Sequence, residues 1–123
     1  MFKILTFFLF HILFTILLVK FKKNYSNTKI ALVATALFYI SIIVIAFVTT
    51  YTLKSHLDSF DLNNDGFFSE DEKNPEQRKA LKAVSSDNGR NLAPFTGIIF
   101  SILYFIMVKI ILSIFRRNAA TKL

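Results

Sequence analysis

The stretch 30-IALVATALFYISIIVIAFVTTYTL-53 is the strongest indication of the architecture, because it contains 24 residues and no charged side chain. Apolar residues occur on every face of this run, so a helix formed from it has no polar stripe to present to water. A continuous apolar run of this length is typical of a helix that crosses a lipid bilayer. The sequence therefore predicts a transmembrane helix over residues 30–53.

Two further apolar runs flank this stretch. Residues 1–21 form the first, whose apolar part covers roughly 24 Å, short for a hydrocarbon core of about 30 Å. Its flank, VKFKKNYS, has no small-residue cleavage site, so we expect a retained span and not a signal peptide. Residues 93–115 form the last run and contain one charge. The prediction is an all-α protein with three transmembrane helices, and a soluble three-helix bundle is the alternative.

The charges of the chain are separated along the sequence. The 123 residues carry a formal net charge of +7, but all eight acidic residues lie between Asp58 and Asp87. Most basic residues lie at the ends of the apolar runs, whereas a DNA-binding domain interleaves lysine and arginine with polar residues on one face. We expect lipid contacts at these flanks and no nucleic-acid partner.

The basic flanks also predict an orientation. Lysine and arginine close to a span favour the cytoplasm, and they are concentrated in the loop 22–29 and in the tail 116–123. The segment 54–92 has a net charge of −2, from six basic and eight acidic residues. We therefore expect an N-out, C-in topology, with residues 54–92 extracytoplasmic and with 22–29 and 116–123 in the cytoplasm.

The segment 54–92 contains an acidic stretch, 61-DLNNDGFFSEDE-72. It matches the spacing D-x-[DN]-x-[DN]-G-x5-E at every constrained position. Ca²⁺ is a hard cation that takes about six to eight oxygen ligands, which alternate carboxylate and amide side chains can supply as the chain curls. Gly66 permits the sharp turn that a side chain would oppose. The spacing predicts a calcium loop.

This stretch resembles the EF-hand family, and the resemblance covers residues 57–72. Leu57 and Phe60 occupy positions where the helix entering such a loop carries apolar residues. The exit side differs, since Lys73 replaces an apolar residue and Pro75 interrupts the helix, so an open target-binding groove is not expected. The resemblance implies Ca²⁺ as the cofactor. The ligands that it implies are the side chains of Asp61, Asn63, Asp65, Ser69 and Glu72, and the backbone carbonyl of Phe67.

The helices before and after the loop can be predicted from helix-breaking and helix-capping residues. No glycine or proline lies between Ile30 and Phe60, so the second span is predicted to continue as one helix to the loop. Asn74 and Gln77 have capping-box spacing around Pro75, which predicts a short helix that ends near Ser86. The pair 88–89, Asn-Gly, is expected to terminate that helix. One EF-hand-like loop and one short helix would thus separate spans two and three.

Two ionisable residues lie within the predicted spans. His11 is near the middle of the first span, and Lys109 is toward the cytoplasmic end of the third. Groups at such depth are costly and are candidates for function, although a hydrogen-bonded neutral histidine and a snorkelling lysine are the simpler interpretations. Ala93, Gly97 and Ser101 recur at four-residue spacing, a pattern that favours close helix packing.

Two functions fit these features. The first is a small calcium-binding membrane protein that serves as an accessory or structural subunit, with other membrane subunits or a second copy of itself as partners. The alternative is a calcium-gated oligomeric channel or transporter subunit built around His11 and Lys109. The sequence has no catalytic triad, no paired histidine ligands and no phosphate loop, so we do not expect an enzyme.

The orientation can be tested with one cysteine, because the chain has none of its own. Ser86→Cys should react with a membrane-impermeant thiol reagent in intact cells, since residue 86 lies in the segment expected outside. A cysteine at Asn118, in the cytoplasmic tail, is the control and should react only after lysis. The reverse pattern of labelling would contradict the N-out, C-in orientation.

Overall fold

The computed structural model describes residues 2–22, 24–86 and 88–120. These residues form four helices and no strand, which confirms the all-α prediction. The helices are α1 (Phe2–Phe21), α2 (Asn27–Asp58), α3 (Pro75–Ser86) and α4 (Asn88–Ala120).

Helix α2 confirms the prediction of one unbroken helix from the second apolar run toward the acidic loop. It begins at Asn27, inside the predicted loop 22–29, because the Ser26 hydroxyl oxygen accepts a hydrogen bond from the Lys29 N–H at 3.3 Å. Such a cap satisfies an N–H group that has no partner within the first turn.

Helix α3 begins where the cap predicted it. The Asn74 side-chain oxygen accepts hydrogen bonds from the N–H groups of Glu76 at 3.0 Å and Gln77 at 2.8 Å, and Pro75 occupies the first helical position. The predicted terminator is wrong, because Asn88 and Gly89 are the first residues of α4.

Helix α4 therefore begins before the predicted third span, residues 93–115, and continues past its end. Pro94 lies inside this helix.

The chain divides into two compact units. Unit 1 contains Met1–Ser41 and Gly97–Leu123, and unit 2 contains Ile42–Thr96. In unit 1 the buried residues of α4 recur every three or four positions, so they lie on one helix face. Among the residues of unit 1 whose burial is described, those buried are His11 on α1, Ile30, Ala31, Ala34 and Phe38 on α2, and Gly97, Ser101, Tyr104, Val108 and Leu112 on α4.

Two helical segments of the described residues are long and apolar enough to cross a membrane. They are Asn27–Asp58 and Pro75–Arg117, while the apolar helix Leu5–Phe21 is shorter. Only 22% of the most apolar stretch in each long segment is buried, whereas the core helix of a soluble protein is mostly buried. The two segments are compatible with a membrane protein, and their apolar side chains face outward.

The close packing of α4 can be tested at Gly97, which is buried. Gly97→Leu should hold the helix backbones apart and lower the free energy of unfolding by about 1–3 kcal/mol, as overpacking does elsewhere. Thermal unfolding in detergent is the measurement, and Ile99→Leu at an exposed position of the same helix is the control. Equal stability of the two variants would contradict this packing face.

Candidate metal-binding loop and buried histidine

The loop after α2 is shaped by its own polar side chains. The Asp65 N–H donates to the Asn63 side-chain oxygen at 3.0 Å, and the Phe67 N–H donates to Asp65 Oδ1 at 2.8 Å. Gly66 has a φ of 82°, and an added Cβ would meet no atom within 4 Å. Glycine is therefore required at this position by the backbone conformation and not by lack of space.

Asp61 has one engaged and one orphaned oxygen. Its Oδ2 accepts a hydrogen bond from the Gly66 N–H at 2.9 Å, across the turn. Its Oδ1 is buried and has no hydrogen-bond partner among the described residues. A buried carboxylate oxygen without a donor is costly, and a bound cation is one way to compensate it.

Glu72 closes the loop from its far end, and its side chain is buried. Its Oε1 accepts hydrogen bonds from the N–H groups of Leu62 at 2.8 Å and Asn63 at 3.4 Å. Its Oε2 accepts from the N–H and the hydroxyl of Ser69, at 2.8 and 2.9 Å. A carboxylate has about four lone-pair sites, so this side chain is fully used.

These hydrogen bonds keep Glu72 charged. The hydrogen bonds from the N–H and then from the hydroxyl of Ser69 are the largest causes that lower the pKa of the Glu72 carboxyl below its usual 4.5. The hydrogen bond from the Leu62 N–H lowers this pKa further. Burial of the carboxylate opposes the shift. The neighbouring Glu70 is exposed, and its pKa is lowered by a hydrogen bond and the charge of Lys73, whose Nζ lies 2.8 Å from Glu70 Oε1.

The predicted ligands have the right chemistry but do not converge here. Among the described residues, which include the whole loop, no group of three or more Asp, Glu, His or Cys side chains is placed to hold a metal ion together. The reason is local, because Glu72 is held by the loop backbone and the Asn63 amide donates to Asp65 Oδ2 at 2.9 Å. Oxygen donors of this type suit Ca²⁺, and the orphaned oxygen of Asp61 is the atom left free to meet it.

His11 is enclosed by aromatic rings within unit 1. Its ring lies 4.6 Å from Phe7, 5.1 Å from Phe38 and 6.2 Å from Tyr104, measured between centroids. Phe38 and Tyr104 stack on each other at 4.4 Å, with 7° between the ring planes. Aromatic pairs of this kind contribute about 0.5–1.5 kcal/mol beyond their buried area.

The polar atoms of His11 are not bonded as expected. Neither ring nitrogen has a hydrogen-bond partner among the described residues, so the interhelical hydrogen bond expected for the imidazole is absent there. The Tyr104 hydroxyl instead donates to the backbone carbonyl of His11 at 3.4 Å and lies 3.2 Å from the Thr15 hydroxyl. Tyr104 thus connects α4 to α1 through its hydroxyl as well as its ring.

The remaining candidates are split between buried and exposed positions. Ala93, Gly97 and Ser101 are all buried, and their role in helix packing stays a prediction. Lys109 is exposed, and its Nζ lies 5.9 Å from the centroid of the Phe105 ring. His11 is buried, so the two ionisable residues do not form one buried site.

Sequence reasoning missed the aromatic partners of His11. Phe38 and Tyr104 lie in apolar runs that contain many similar rings, and no polar spacing distinguishes them. One signal in the sequence could have found Tyr104. It follows Gly97 and Ser101 at helical spacing, which places the three residues on one face of the helix.

The pKa of Glu72 predicts how the calcium-free loop responds to acid. A lowered folded-state pKa means that the charged carboxylate stabilises the loop above the usual value of 4.5, and that this stability is lost as the pH falls through the lower folded-state value. The amide proton resonances of Leu62 and Ser69 should therefore titrate together with a midpoint below 4.5. Glu72→Gln should remove this transition, and a midpoint at or above 4.5 would contradict it.

Comparison with known proteins found no relative for this chain: no protein-family profile, no characterised protein and no solved structure matched it.

Proposed function

We propose that this chain is an integral membrane protein with three transmembrane helices that binds one Ca²⁺ in an extracytoplasmic loop, residues 61–72. It serves as an accessory or structural subunit of a membrane complex, and the ion stabilises or regulates the loop. The observation that carries the proposal is the buried, unpartnered Oδ1 of Asp61 within a loop of calcium-type oxygen donors.

The membrane part is supported by the outward-facing apolar side chains of two helical segments, little of whose apolar length is buried. In water this surface would be costly, whereas in hydrocarbon it is favourable. Helix α1 would be the third span, and Lys20 at its end can extend its reach by snorkelling.

The calcium part is supported by the donor set and by the backbone that carries it. Asp61, Asp65 and Glu72 would supply three carboxylates, Asn63 and Ser69 neutral oxygens, and Phe67 a backbone carbonyl. The turn that these residues need is already present, with the positive φ of Gly66 and the hydrogen bonds of the Asn63 and Asp65 side chains around it. Bound calcium would neutralise the carboxylates and link the two ends of the loop.

The hydrogen bonds of Glu72 indicate that calcium would bind weakly. Its carboxylate can become a ligand only by giving up hydrogen bonds that it already makes, so part of the binding free energy is offset. The weakest of these is the 3.4 Å contact with the Asn63 N–H. Ligand charge and site rigidity set affinity in such loops, which points to a dissociation constant of about 10⁻⁴–10⁻³ M. At extracellular calcium such a site acts as a structural staple.

No observation among the described residues favours the channel alternative. That function needs His11 and Lys109 to face a common polar path, but Lys109 is exposed and aromatic rings surround His11. Ion flux in liposomes that contain the purified protein alone would be the result that revives it.

Calorimetric titration of the purified protein tests the calcium site. The wild type should bind one Ca²⁺ with a dissociation constant of about 10⁻⁴–10⁻³ M, and Mg²⁺ should compete poorly because its octahedral shell suits a larger cage badly. Glu72→Gln removes a charged ligand and should abolish binding at millimolar calcium.

Glu70→Gln is the matched control for that titration. Glu70 is an exposed acid in the same loop that pairs with Lys73 and is not a predicted ligand, so this variant should bind like the wild type. Calcium at about ten times the dissociation constant should stabilise both proteins by about 1.4 kcal/mol in thermal unfolding. A wild type that binds no calcium at about 10 mM, ten times the weak end of that range, would refute the site.

A further inference from the structure

Helices α1 and α4 border an open groove within unit 1, with a volume of about 540 Å³. Volumes of this order are typical of small-molecule sites. Its walls are almost wholly apolar side chains from both helices, and Thr15, Lys20 and Tyr104 are among the residues that line it. The side chains that form the walls include Ile12, Ile16 and Val19 on α1, and Val108, Leu112 and Phe115 on α4.

The groove meets a basic cavity at Lys20. This second cavity has a volume of about 260 Å³ and is lined by the residues at the end of α1 and in the turn that follows, including Lys22, Asn24 and Tyr25. Lys20 lines both spaces, so the apolar groove and the basic pocket share one side chain.

The basic cavity is held in place from α4. Arg116 donates a hydrogen bond from Nη2 to the backbone carbonyl of Tyr25 at 2.8 Å, and Lys22 Nζ lies 5.7 Å from the centroid of the Tyr25 ring. Neither 1–41 nor 97–123 contains an aspartate or glutamate, so no acidic side chain of unit 1 can neutralise these lysines. The pocket therefore favours an anionic ligand.

We propose that this paired groove and pocket bind one anionic phospholipid, with an acyl chain in the groove and the phosphate at Lys20 and Lys22. The inference rests on the membrane part of the proposed function and is independent of calcium. A phospholipid joins an apolar chain to an anionic head, which is the order in which the groove and the pocket follow each other.

Charge argues against a second copy of the chain as the occupant. A parallel copy would bring the same lysines to the same level and no acidic side chain from unit 1, so the contact would be repulsive. Basic pockets between transmembrane helices on the cytoplasmic side are known to take anionic headgroups. A lipid held there would bridge the outer faces of α1 and α4.

Native mass spectrometry of the full-length protein in neutral detergent tests the proposal. With phosphatidylglycerol and phosphatidylcholine of identical acyl chains added in turn, the wild type should retain phosphatidylglycerol in preference. Lys20→Gln and Lys22→Gln should each lower that preference about fivefold, the expected effect of one basic side chain near an anionic headgroup. Lys29→Gln, an exposed lysine outside both cavities, should leave it unchanged.

A second variant tests the groove separately from the charges. Met107 lines the groove and is partly exposed, so Met107→Trp should fill the groove with little effect on folding, and it should reduce retention of both lipids. Glycerol phosphate should compete poorly, since it lacks the acyl chain. Three results would each overturn the proposal: equal retention of the two lipids by the wild type, undiminished lipid retention by Met107→Trp, or full competition by glycerol phosphate.

Failure of the membrane proposal itself would be recognised by a different measurement. The wild type should insert into vesicles of pure phosphatidylcholine and resist extraction at alkaline pH. A protein that does not insert refutes the membrane part of the proposed function, whereas one that inserts without preferring phosphatidylglycerol refutes the lipid site alone.

Discussion

The outward-facing apolar surface of the long helices is the constraint from which the rest of this molecule follows. Hydrocarbon cannot hydrogen-bond to the backbone, so a chain with such runs satisfies its N–H and C=O groups within helices. Most of the candidate site residues lie on a narrow buried face or in one loop, whereas Lys109 is exposed on α4. The buried face shows how small side chains such as Ala34 and Gly97 allow the helices to approach.

Within the loop, the carboxylate of Glu72 is the group on which the conformation depends. Glu72 connects the start of the loop, at Leu62, with its exit, at Ser69, and has no hydrogen-bonding capacity to spare. The loop is therefore ordered by its own acid, while Asp61 has one oxygen without a partner among the described residues. An ion that entered this loop would compete with these internal hydrogen bonds. Such competition would make binding weak even though the spacing of the motif matches.

Local features were predictable from the sequence, and long-range ones were not. The cap at Asn74, the turn at Gly66 and the unbroken α2 depend on residues a few positions apart, so their residue types indicate them. The error at Asn88 has the same local origin, because an Asn-Gly pair can end one helix or lie in the first turn of the next. The stacking of Phe38 on Tyr104 depends on helix register, which a nearly uniform apolar sequence does not encode in its polarity.

Under the proposed function, calcium displaces hydrogen bonds of Glu72 in the loop. The amide protons of Leu62 and Ser69, followed by NMR in lipid nanodiscs during a calcium titration at neutral pH, report those hydrogen bonds directly. At least one of the two resonances should shift upfield as its N–H loses the carboxylate, with a midpoint of about 10⁻⁴–10⁻³ M. Resonances that stay unchanged up to about 10 mM calcium, roughly ten times the weak end of that range, would contradict it.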